Sequence, residues 1–90
     1  DATPHNLVIV QPGCLEEVGL AANEMAKDPV AAKSGQCIPQ SQKIIAHTQM
    51  LKQGEAEILR FKAPKNKGVY PFLCSFPGHW TIMKGNLIVK

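Results

Sequence analysis

Cys74, His79 and Met83 share one short loop, Cys74-Ser75-Phe76-Pro77-Gly78-His79-Trp80-Thr81-Ile82-Met83-Lys84-Gly85, set between two apolar, β-branched segments. A thiolate, an imidazole and a thioether gathered this closely form a soft to borderline donor set, which suits copper far better than calcium or magnesium. One more imidazole would complete a trigonal plane of two histidines and one cysteine with a weak, long axial sulfur, the arrangement of mononuclear electron-transfer copper sites. His5 is the candidate, because it opens a strand that can lie beside the loop.

Two other chemistries compete for these residues. Zinc can be held by one cysteine and two histidines with an open fourth position, although a thioether is not among its usual donors and no Cys-x2-Cys pair or well-placed Glu is present. Cys74 and His79 could also form the thiolate and imidazolium pair of a nucleophilic cysteine, yet no oxyanion-hole motif accompanies them and Met83 would be incidental. A dinuclear copper centre would need a second thiolate in the loop, and positions 75–79 contain none.

The remaining residues bound the scaffold. Ninety residues, 44% of them apolar, make one small domain over positions 1–90. No segment approaches the roughly 20 consecutive apolar residues of a membrane span, so no transmembrane segment is expected. The net charge of +3 is spread along the chain. Nucleic acid is not an expected partner, since Lys62, Lys65 and Lys67 flank Pro64 and Gly68 as a solvated turn instead of a basic stripe with interleaved aromatics.

Asn6–Val10 reads as a short strand closed by a Gln-Pro-Gly turn. Apolar residues at 15, 18, 22 and 25 or 26, with Glu16 and Glu17 in the first turn, predict a helix of about three turns, and Asp28-Pro29 caps a further turn through Lys33. Strands are predicted over Lys43–Leu51, Glu55–Lys62, Val69–Cys74 and Gly85–Lys90, the first two joined as a hairpin through 52–54. Pro71 should lie at an edge or a bulge. The pattern predicts an all-β antiparallel sandwich or barrel with a helical insertion and one pairing edge left open.

The loop from Cys74 to Gly85 resembles the copper loop of the azurin and auracyanin members of the cupredoxins. Ile44-Ile45-Ala46-His47-Thr48 with Gly54-Glu55, the closing strand 85–90 and Pro4-His5-Asn6 are similar to further parts of the family, so that the likeness covers about two thirds of the chain. The resemblance implies a cupredoxin-like Greek-key β-sandwich. It also implies that the family's strands ahead of the first ligand histidine are missing. The expectation is therefore a C-terminal part of a larger domain or protein, or a sheet completed by a neighbouring chain or fused segment.

Carried onto this sequence, the resemblance makes His5, Cys74 and His79 the strong ligands of one copper per chain and Met83 the axial ligand. The Pro4 carbonyl would approach from the opposite axial side. Asn6 would hydrogen-bond the Ser75 region, and Phe76, Pro77 and Trp80 would shield the metal and leave an edge of His79 as the electron port. His47 matches a histidine that is no ligand and reads as structural or surface. The implied function is one-electron transfer without enzymatic turnover, in a bacterial periplasmic or other extracytoplasmic setting, with redox proteins docking near His79. A copper-handling or storage module and an electron-relay domain of a larger oxidoreductase are the alternatives. In such an oxidising compartment Cys14 and Cys37 are candidates for a disulfide stabilising by about 3 kcal/mol.

Overall fold

The computed structural model describes residues 4–33 and 35–90. Its elements are β1 (Val8–Val10), α1 (Leu15–Lys27), α2 (Pro29–Ala32), β2 (Ile44–His47), β3 (Gly68–Leu73), a 3-10 turn (His79–Thr81) and β4 (Lys84–Val89). The four strands form one antiparallel sheet in the order β2-β1-β3-β4. The mainly β architecture with a helical insertion is thus as the sequence predicts.

All three residues of β1 are buried, as befits a strand paired on both sides. Val8, Val10 and Leu73 meet Val18 of α1 in the core, and Cys14, Leu15, Ile38, Ile44 and Trp80 pack around them. The helix forms because Val18 and Ala22 lie one turn apart on its buried side, while Glu16 and Glu17 complement the positive N-terminal end and Lys27 the C-terminal end. Asp28 then caps α2, its Oδ1 accepting the Val30 N–H at 3.0 Å with Pro29 in the first turn.

Several expectations are corrected. Residues 55–62 form no strand. A β-rich sequence becomes a strand only when a ladder partner is present, and here the Glu55 and Glu57 carboxylates accept the Lys52 and Gln49 N–H groups at 2.7 and 2.9 Å. The turn before them does form, with Glu55 N–H donating to the Lys52 carbonyl and Gly54 at φ +86°. Pro71 sits in β3, an interior strand. Pairing with β1 ends at Phe72, one residue short of it, so the missing N–H lies beyond that ladder's recorded register.

The strand predicted over Lys43–Leu51 is cut to Ile44–His47. At Thr48 the N–H still donates to the Leu7 carbonyl at 2.9 Å, but Oγ1 takes over as acceptor for the Leu7 N–H at 3.0 Å, and a paired bridge forms again at His5 and Leu51. Cys14 and Cys37 are not disulfide-bonded; all three cysteines are free. Cys14 packs against the Val8–Leu73 core at the start of α1, with its Sγ 3.6 Å from the Pro12 carbonyl. Cys37 faces other groups, with Sγ 3.9 Å from the Gly35 carbonyl and close enough to Cys74 to sense its charge.

Two measurements check this arrangement. Titration of the copper-free protein with a thiol reagent, in denaturant without reductant, should count three reactive sulfurs per chain, whereas a count of one would restore the bridge. Leu73→Ala, at a side chain 1% exposed, should lower the unfolding free energy by about 2–5 kcal/mol in chemical denaturation.

Candidate metal centre

The irregular step between β1 and β2 places His5. Its N–H donates to the Leu51 carbonyl at 2.9 Å and its carbonyl accepts the Leu51 N–H at 2.7 Å, which pins the histidine backbone beyond the half-broken Leu7–Thr48 pair. Within that step Asn6 turns its side chain inward. Its Nδ2 donates to Ser75 Oγ at 2.8 Å and its Oδ1 accepts the Ser75 N–H at 2.8 Å, while Ser75 Oγ donates to the Cys37 carbonyl at 2.6 Å. Ser75 is fully buried, so these bonds satisfy groups that would otherwise be costly.

Cys74 follows the last residue of β3. The Leu73–Lys84 pair closes the regular ladder, and the Cys74 N–H donates to the Met83 carbonyl at 3.0 Å, so the loop is the end of the β3–β4 hairpin. Pro77 and Gly78, the latter at φ 84° and ψ −14°, form a type II turn closed by the His79 N–H on the Phe76 carbonyl at 2.9 Å. A left-handed conformation at the second central position is what calls for glycine there. The His79 carbonyl accepts the Ile82 and Met83 N–H groups at 3.1 and 2.7 Å, folding the loop back toward β4.

These constraints converge on three donor atoms. Cys74 Sγ lies 3.8 Å from His5 Nδ1 and 3.7 Å from His79 Nδ1, and all three fall within 4.8 Å of one another. Separations of this size are what three donors span around one ion at metal–ligand distances of about 2.0–2.3 Å. Cys74 is buried and the two histidines are half-buried. Two imidazole nitrogens and one sulfur suit copper, and no carboxylate joins the cluster among the described residues.

Pro4 is half-buried directly before His5. The Phe76 ring tilts against His79 with centroids 4.7 Å apart, and Pro77 is half-buried beside it. Met83, 37% exposed, lines a shallow cavity with Cys74, Asn6 and Leu7. His47 is exposed, with Nδ1 2.8 Å from the Thr48 carbonyl. Burial, and after it the charge of Cys74, pushes the Cys37 thiol above its ordinary value, which keeps it protonated near neutral pH.

Sequence reasoning missed the supports that come from outside the loop. Thr48 and Leu51 set the His5 backbone, the Cys37 carbonyl receives Ser75, and Asn23 of α1 accepts the Gly78 N–H at 3.1 Å. Gly19, in the middle of α1, was the available signal, because glycine weakens a helix interior and so points to a close approach there. Trp80 makes that approach, packing on α1 and the core.

The family model for copper binding proteins of the plastocyanin/azurin family matches residues 1–90. The chain is 33% identical over 88 residues to azurin of Alcaligenes faecalis, covering 96% of this chain and 65% of that protein. It thus spans a little under two thirds of that relative's length. Among solved structures, dithionite-reduced auracyanin from Roseiflexus castenholzii superposes with a TM-score of 0.79 at 36% identity, over 100% of this chain and 69% of that one. Auracyanin A, a blue copper protein from Chloroflexus aurantiacus, gives 0.76 at 29% identity over 99% and 69%. With its cysteine and two histidines converging on one point, this chain belongs to the plastocyanin/azurin family of copper-binding proteins.

Proposed function

We propose that the chain is a one-electron carrier built on a mononuclear type 1 copper site. The observation that carries this reading is the convergence of His5 Nδ1, Cys74 Sγ and His79 Nδ1 within 4.8 Å. Copper bound there would supply a single electron by alternating between Cu(II) and Cu(I). His5, Cys74 and His79 would hold the ion as its strong ligands, and the Met83 thioether and the Pro4 carbonyl would offer weaker contacts. Asn6 and the Cys37 carbonyl hold Ser75, the cysteine's neighbour, in place, which limits the rearrangement that a change of charge would otherwise drive.

Phe76 and Pro77 exclude water from the donors, while the half-exposed edge of His79 offers the route for the electron. Ile82, 80% exposed, and Met83 provide apolar ground beside it for a redox partner. Exposed lysines, Lys84 among them, would steer an acidic partner and make association fall with salt. The setting we assign is extracytoplasmic, in a bacterial cell; the relatives above are bacterial proteins. Nothing in this role requires substrate turnover.

Addition of Cu(II) should produce an intense visible thiolate-to-copper band. Cys74→Ala should abolish it and Met83→Leu should alter it while leaving copper bound; a colourless protein that prefers zinc would overturn the reading. Loss of the ion at each reduction, followed by equilibrium dialysis, would point to copper handling instead. Asn6→Ala strips the buried Ser75 of two partners, so copper affinity should fall about 10–100-fold in chelator competition. The copper-free protein should lose about 1–3 kcal/mol of stability in the same variant.

A further inference from the structure

Helix α1 grips the chain on both sides of His79. Asn23 Oδ1 accepts the N–H of Gly78, the residue before it, at 3.1 Å. Gly19 lies against the indole of Trp80, the residue after it, so closely that a Cβ at position 19 would overlap the ring and come within 2.6 Å of Cε2. Gly19 and Asn23 are one turn apart, at i and i+4, and therefore share a helix face. The two contacts are of different kinds, one a hydrogen bond and one a shape fit. Both act on backbone adjoining the same histidine.

The other donors have separate anchors. His5 is fixed by Leu51, and Cys74 by the hairpin and by Asn6 through Ser75. His79 sits in a three-residue 3-10 turn beyond the β3–β4 ladder, where its own backbone bonds all stay within the loop. Trp80 Nε1 is buried without a hydrogen-bond partner among the described residues, which leaves the fit of the ring on α1 and the core to set its place.

We propose that the helical insertion is a positioning element for the metal centre, in which Gly19, through Trp80, and Asn23, through Gly78, together set the place of His79 opposite Cys74. The proposal rests on the copper reading above for its consequence, though not for its geometry. Gly19→Ala sharpens the case through its sign: in a helix interior this change ordinarily stabilises, whereas here the methyl must displace the indole.

The test uses the 90-residue chain with Gly19→Ala, Asn23→Ala and Asn23→Asp, and Glu24→Ala on the exposed side of α1 as control. In the copper-free protein, Gly19→Ala should shift the emission of Trp80, the single tryptophan, to longer wavelength. Asn23→Ala should speed amide exchange at Gly78 and His79 without speeding it in β1 or β3. With Cu(II) added, both variants should shift the thiolate-to-copper band and weaken affinity about tenfold, the lower end for residues that orient ligands. Asn23→Asp, which keeps an acceptor oxygen, and Glu24→Ala should stay near the parent.

Equal band and affinity in Gly19→Ala and Asn23→Ala, with only the melting temperature lowered, would overturn the proposal. If the parent itself shows no thiolate-to-copper band, the copper reading fails. The role of α1 is then decided by the copper-free measurements: faster exchange confined to positions 78–80 sustains it, and exchange that changes everywhere alike or nowhere overturns it.

Discussion

The reciprocal hydrogen bonds between Asn6 and Ser75 hold the rest of the centre together. They join residues 69 apart in sequence, at 2.8 Å in both directions, in a buried place where an unpaired amide or hydroxyl would be expensive. Ser75 adjoins the thiol and Asn6 adjoins the first histidine, so one polar contact ties together the two parts of the chain that carry donors. The cost of burying Ser75 is offset by Asn6 and the Cys37 carbonyl. The same contact accompanies the departure of Asn6 from the β1–β2 pairing, after which His5 is caught again by Leu51.

A hairpin end suits this chemistry for a related reason. Cys74 and Met83 extend the β3–β4 ladder by one more backbone bond, and the residues between them must turn within a very short length. The Pro77-Gly78 turn and the bonds converging on the His79 carbonyl leave little room for alternative loop shapes. Backbone bonds within the loop and the side chains of Asn6 and Asn23 that receive its N–H groups then set the donor positions together. Under the proposed role, donors held in this way would meet little reorganisation when the charge at the metal changes.

The loop was legible because Cys74, His79 and Met83 lie within ten residues on a segment whose flanks read as strands. His5 was legible as the imidazole at the start of a strand and again through the family likeness, whereas the pairing that anchors it was not, since it depends on Thr48 and Leu51, far away in sequence. Helix α1 could be read from its periodicity and its charged ends. The strand expected over 55–62 could not be tested locally, because β propensity describes a fit to neighbours and the neighbours were unknown. The supposed Cys14–Cys37 bridge failed for the same reason. Pairing needs proximity, and composition says nothing about which core each sulfur joins.

The places where local preference is broken cluster around the centre. Gly19 costs its helix about 0.5–1 kcal/mol relative to alanine, and the burial of Trp80 against it supplies the offset. Cys37 adopts φ 59°, unusual for a residue with a Cβ, at the position whose carbonyl receives Ser75. Gly78 takes the left-handed conformation just before His79, and Pro71 stands inside the sheet three residues before Cys74. Gly78 suits its own turn, whereas Gly19 and Cys37 depart from what a helix or an L-residue prefers and each meets a residue of the loop, Trp80 or Ser75, which is the pattern expected when a scaffold is shaped by the site it supports.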